Sequence, residues 1–186
     1  SDKKGLFKRI GKVSSFNCGN TCWNNYWIYN GEYYSYKLTI MNILIIQGPN
    51  LNLIGLKSVK IGENVTLDKV NKGLRKQANK RPEEITLKIL QSHKIEKAMS
   101  SIHRNRNWAN GIIIAPMAWA RYEYSLKECL HAVSLPIYEV FLNPEYEFEG
   151  NQESSIISPI CVETLCGHPL SIFTDALDLL VNHLSK

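Results

Sequence analysis

The stretch MNILIIQGPNLNLIG, Met41–Gly55, sets the reading of the chain. Met41–Gln47 is apolar almost throughout, with no alternation of polar and apolar positions, as in a strand covered on both faces. Gly48-Pro49-Asn50 then breaks it with three turn-forming residues in a row. Downstream, the same kind of strand returns at Ile85–Leu90, Gly111–Ala115, Ile137–Leu142 and Ile160–Leu165. Between these runs the apolar positions recur at helical spacing. Thr66 is placed to cap a helix carrying Leu67, Val70, Leu74 and Ala78, which Arg81-Pro82 stops. Ser92 is placed to cap a second, with Ile95, Ala98, Met99 and Ile102 on one face. A third spans roughly Tyr124–Val133, and a last one follows Gly167-His168-Pro169, with Leu170, Phe173, Leu177, Leu180 and Leu184 on one face. Alternating strands and helices of this kind predict an α/β domain: a doubly wound parallel sheet with helices on both faces. Ligands of such sheets bind beyond the carboxyl ends of the strands, here at Gln47–Asn52, Gln91, Ala115–Arg121, Leu142–Pro144 and Cys166–Pro169.

Residues 1–40 differ in character from residues 41–186 and read as an extension of that domain. Lys3, Lys4, Lys8, Arg9 and Lys12 open it against a single acid, Asp2. An aromatic stretch follows, with Trp23, Tyr26, Trp27, Tyr33, Tyr34 and Tyr36, and Tyr33–Ile40 alternates as a strand does. So many rings are expected to be buried, making these residues candidate partner-binding anchors. The basic, acid-poor beginning suits the remnant of an organelle-targeting segment or an arm embedded in a larger particle. It leads to an expectation of mitochondrial location, with the cytoplasm as the alternative.

Charge and cysteine content narrow the classes further. The net charge of +5 and pI of about 8.9 permit contact with RNA without requiring it. No apolar run approaches the roughly 18 residues that span a bilayer. Five cysteines, an odd number, argue against a disulfide scaffold. Cys18, Cys22, Cys161 and Cys166 have unusual spacings for a zinc site and are read as unligated. Neither a metal nor a cofactor is expected.

Several strings together resemble the type II 3-dehydroquinate dehydratase family: Met41–Gly55, Gln91-Ser92, Ile102-His103, Gly111–Pro116, Ile137–Val140 and Ser158–Ile160. The resemblance covers about 145 residues. It implies a flavodoxin-like fold with a five-stranded parallel sheet, and trimers assembling into a dodecamer. It also implies dehydration of 3-dehydroquinate through an enolate. A lid tyrosine takes the proton, an arginine lowers that tyrosine's pKa, an asparagine holds a water, and a histidine oriented by a glutamate protonates the leaving hydroxyl.

At the positions that match, this chain carries other residues. Its lid, LKSVKIGENV from Leu56 to Val65, has Gly62 at the tyrosine and Leu56 or Lys57 at the arginine. Ala115 stands at the asparagine, Arg121 at a second histidine, Phe141 at the acid histidine and Gln152 near a substrate-binding arginine. Glu139 is retained. Trp119, Tyr122 and Phe141 are expected to narrow the cleft. Asn50, Asn143 and Arg121 remain as candidate ligand contacts, with backbone amides after Glu139 and the lysines Lys57 and Lys60 available to an anion. Of His93, His103, His131 and His168, only His168 stands at the carboxyl edge in a position worth testing.

Because groups that act as a unit fail as a unit, these replacements lead to the expectation of a catalytically inactive subunit. That subunit would sit among other proteins of a larger, organellar complex, a mitochondrial ribosome or a respiratory assembly, and not in a homo-oligomer of the family type. The alternatives are 3-dehydroquinate dehydratase itself, or a module that binds a small ligand or RNA in the old cleft.

Overall fold

The computed structural model describes residues 25–29, 32–36, 40–148 and 155–186. Two strands, β1 (Asn25–Tyr29) and β2 (Glu32–Tyr36), pair antiparallel, with Trp27 opposite Tyr34. The expected strand Tyr33–Ile40 is thus two separate pieces: β2 ends at Tyr36, and Ile40 opens the next strand. Contacts divide the chain between Thr39 and Ile40, and the hairpin and the domain are described separately. Cys18, Cys22, Trp23 and Gln152 lie outside the described residues. So does the side-chain burial expected of Tyr26, Trp27, Tyr33, Tyr34 and Tyr36.

From Ile40 onward, five strands form one parallel sheet. They are β3 (Ile40–Gln47), β4 (Glu84–Gln91), β5 (Gly111–Ala115), β6 (Ile137–Leu142) and β7 (Glu163–Gly167), in the order β4-β3-β5-β6-β7. This is the doubly wound, flavodoxin-like arrangement in which the chain reverses direction across the sheet beside its first strand. Helices α1 (Ile54–Lys60), α2 (Leu67–Lys80), α3 (Ile95–Asn105), α4 (Trp119–Tyr122), α5 (Tyr124–Val133) and α6 (Pro169–Leu184) complete the domain.

The absence of alternation in the central strands has a direct structural meaning. Met41, Ile43 and Ile45 of β3 face one core with Val70, Leu74, Phe173 and Leu177. Leu44 and Ile46, pointing the other way, face a second core with Ala98, Ile102, Leu126 and Leu130. Each side of the strand buries a row of aliphatic groups, worth about 1.5–3 kcal/mol per fully buried side chain. Thr66 caps α2 by accepting from the Lys69 amide at 3.3 Å. Ser92 does not cap α3. That position belongs to Lys94, whose amide donates at 3.0 Å to the hydroxyl of Ser92, two residues before it.

Three further stretches differ from expectation. Leu56–Lys60, the first half of the segment read as the lid, is helical and belongs to α1. Residues 119–122 form the short α4. The last strand begins at Glu163, because Ser158–Ile160 makes a 3-10 turn with Pro159 in its first turn. Among the described residues, no helix is long and apolar enough to cross a membrane.

Candidate functional site

The carboxyl ends of β3, β5 and β6 converge on a hollow of about 180 Å³. Its walls come from the turn after β3 (Pro49, Asn50), the turn after β5 (Met117, Ala118), the end of β6 (Phe141, Leu142) and the following loop (Glu147, Phe148). The two turns meet at Gly48. A Cβ at that position would lie 2.4 Å from the Pro116 carbonyl oxygen, and the Gly48 amide donates to the Ala115 oxygen at 2.8 Å. Only glycine permits that approach. Asn50 (φ 64°) and Met117 (φ 54°) both hold left-handed backbone at the rim. Such conformations are costly for non-glycine residues and concentrate at functional sites. They are two of the three non-glycine positive-φ residues among those described.

Phe141 lines the hollow as expected. Trp119 and Tyr122 do not: Trp119 is buried in the second core, and Tyr122 is 76 % exposed. Ala115 is buried, and its contribution is the carbonyl that receives Gly48. Arg121 lies on α4, outside the hollow, with a buried Nε that has no partner among the described residues. The Asn143 amide, considered for anion binding, is already spent on the Gly167 carbonyl at 2.9 Å, and its side-chain nitrogen donates to Glu145 at 2.9 Å. His93 accepts from the Asn50 amide at 3.4 Å and so supports the strained turn. His103 stands 3.5 Å from the Cys129 thiol, whose pKa burial raises.

Glu139 is fully buried in the sheet, with three hydroxyls as partners. Ser155 donates to one carboxylate oxygen at 2.6 Å, while Ser158 at 2.5 Å and Thr164 at 3.1 Å donate to the other. Ser155 in turn receives the Ile157 and Ser158 amides. The retained glutamate thus anchors the returning 155–158 segment to β6 and β7, satisfying a carboxylate that would otherwise be costly to bury. Burial, and then the charge of Glu139, pushes the neighbouring Cys161 thiol up. That thiol is partly buried and donates to the Ile157 carbonyl. Cys166 is exposed, with its thiol directed at the Leu142 carbonyl.

The lid is folded. Gly62, exposed at φ 75°, makes the left-handed turn that ends α1. The Glu63 amide returns to the Ser58 carbonyl at 2.9 Å, and the buried Ser58 hydroxyl accepts from Val65 at 2.6 Å. Lys57 holds its ammonium 5.3 Å from the centre of the Phe148 ring, at the wall of the hollow. Glu63 receives the Tyr146 hydroxyl at 2.6 Å and faces the His168 Nε2 at 2.9 Å. The other ring nitrogen of His168 accepts from the Leu170 amide and caps α6. The hydrogen bonds from Tyr146 and then His168 hold the Glu63 carboxyl below the ordinary range, and burial followed by Glu63 raises the Tyr146 phenol. Sequence reasoning singled out His168 but neither Glu63 nor Tyr146. Glu63 lies in the segment read as the lid and Tyr146 in the loop after β6, and only their pairing across 83 residues makes them informative.

Residues 41–181 match the family described as dehydroquinase class II. A 3-dehydroquinate dehydratase of Dictyoglomus turgidum is 31 % identical over 147 residues, covering 79 % of this chain and all of that protein. One from Buchnera aphidicola subsp. Acyrthosiphon pisum is 34 % identical over 144 residues, covering 77 % of this chain and 95 % of that protein. The crystal structure of a type II dehydroquinase from Butyrivibrio crossotus superposes with a TM-score of 0.67 at 27 % identity, over 76 % of this chain and 97 % of that one. These relatives overturn the expectation of an inactive subunit. Full-length kinship runs to proteins named as enzymes, and nothing in it points to a structural component of a larger complex. From Met41 to Val181, this chain is a member of the class II dehydroquinase family.

Proposed function

We propose that the chain dehydrates 3-dehydroquinate in the hollow at the carboxyl edge, with groups other than those the family resemblance implies. The observation that carries this reading is a carboxylate, Glu147, in the wall of the hollow, and an ammonium, Lys57, held over the ring of Phe148 in the same wall. Dehydration of a β-hydroxy ketone needs a base for the proton next to the carbonyl, a positive charge for the enolate oxygen, and a proton for the departing hydroxyl. Glu147 takes the C–H proton, and the electron pair passes to the carbonyl oxygen beside the Lys57 ammonium. The enolate then reforms the ketone and expels hydroxide. Hydroxide takes a proton from Lys57 or solvent and leaves as water. Phe141, Phe148 and Leu142 give the ring an apolar wall, and a site with little water strengthens both charges.

The test is turnover by the purified full chain, followed through the ultraviolet absorbance of the conjugated product. Turnover is expected, and Glu147→Gln should lower kcat by about 10²–10⁴-fold. A folded protein without turnover, or turnover indifferent to both Glu147→Gln and Lys57→Ala, overturns the reading.

A further inference from the structure

Three segments, one of them the loop that supplies Glu147 and Phe148 to the hollow, meet at one carboxylate. Glu63 comes from the turn after α1, Tyr146 from the loop after β6, and His168 from the cap of α6. The Tyr146 and His168 rings stack edge to face, 5.4 Å apart at 89°. Tyr146 is fully buried, while the Glu63 and His168 side chains are 41 % and 35 % exposed. A surface ion pair alone would contribute little. The phenol is different: without Glu63 its buried hydroxyl loses its acceptor, and a buried donor left unpaired is costly. Tyr146 is bedded in the first core with Leu51, Ile54 and Val65, so it serves as a fixed post. Glu63 is coupled to α1 through the Ser58 carbonyl, and α1 carries Lys57 toward Phe148. On the same helix Ile54 and Ser58 are buried, while Leu56 and Val59, on either side of Lys57, are exposed and add no anchorage.

We infer that Glu63 is a positioning residue: it clasps Tyr146 and His168 and thereby fixes α1, with Lys57, at the mouth of the hollow. The role of Lys57 rests on the function proposed above; the clasp itself does not. It fixes the segment read as the lid and places Lys57, one of its two lysines, beside the Phe148 wall through a contact remote from the ligand.

Two measurements on the full chain decide the matter. In hydrogen exchange, Glu63→Ala and Tyr146→Phe should each speed exchange of amides 58–65 roughly tenfold while leaving β3 and β5 unchanged. Glu63→Gln, whose amide oxygen still accepts from the phenol, should restore part of the protection. In calorimetric titration with quinate, which has no ketone and does not react, Glu63→Ala should weaken binding about tenfold. Lys57→Ala should then weaken it in the wild type but add nothing in the Glu63→Ala background. Unchanged exchange at 58–65 in all three variants overturns the clasp, as does an equal loss from Lys57→Ala in both backgrounds. If the wild type does not bind quinate, the proposed function loses its support, and the exchange data still decide the clasp.

Discussion

At the residue scale, the positions that look most like family signature are backbone and anchoring devices. Gly48 is in the turn because a carbonyl oxygen stands where its Cβ would be. Gly48→Ala should therefore displace the two turns and cost on the order of 1–3 kcal/mol, read as a lower denaturant midpoint with an unchanged slope. Glu139 is retained although Phe141 stands two residues away where an imidazole is implied, and the three hydroxyls around it explain why. Glu139→Ala should strand those donors, at about 1–3 kcal/mol for each buried group left unpaired, and loosen exchange of amides 155–158 before the rest of the domain. The turn glycine was legible from the Gly-Pro-Asn string. The hydroxyl cage was not, since Ser155, Ser158 and Thr164 are ordinary surface residues until the loop returns over β6.

At the element scale, the strands and long helices were legible because each buries a row of aliphatic groups at its own period, as Val70, Leu74 and Ala78 do along α2. Helix α1 was hidden for the converse reason. Its buried positions are Ile54 and Ser58, while Leu56 and Val59 face outward, so its hydrophobic pattern misstates which side is covered. The last strand was misplaced because the apolar Ile160-Cys161 run packs on the second core ahead of the ladder, which begins at Glu163. The clasp at the end of α1 has a pH dependence of definite sign. Tyr146 and His168 hold the Glu63 carboxyl below its ordinary value of about 4.5. The carboxylate form therefore favours the closed segment above that value, and the benefit is lost as pH falls through the lower, folded-state value. Glu145, facing Tyr146 from the same loop, raises the phenol further but does not reverse the sign. Protection of amides 58–65 in hydrogen exchange, corrected for intrinsic rates, should fall as pH drops below about 4.5 in the wild type. Glu63→Gln should lack that acid-side fall.

At the scale of the whole molecule, the alternation of strands and helices led to the doubly wound sheet and to the edge where the hollow lies, since the crossing of the chain beside β3 opens a crevice there. Reading function position by position was less secure. Counting the replaced family residues predicts an inert chain, whereas full-length relatives at 31–34 % identity are dehydratases. The two are reconciled if acid–base work has moved to Glu147, in the loop after β6 that the family positions do not mark, and to Lys57, which the lid helix holds beside Phe148. The most direct test of that account is the steady-state dehydration of 3-dehydroquinate by the purified chain, alone and as Glu147→Gln. Turnover that falls by about 10²-fold or more in the variant is the predicted result. No turnover by a demonstrably folded wild-type protein, or a rate that Glu147→Gln leaves unchanged, would contradict it.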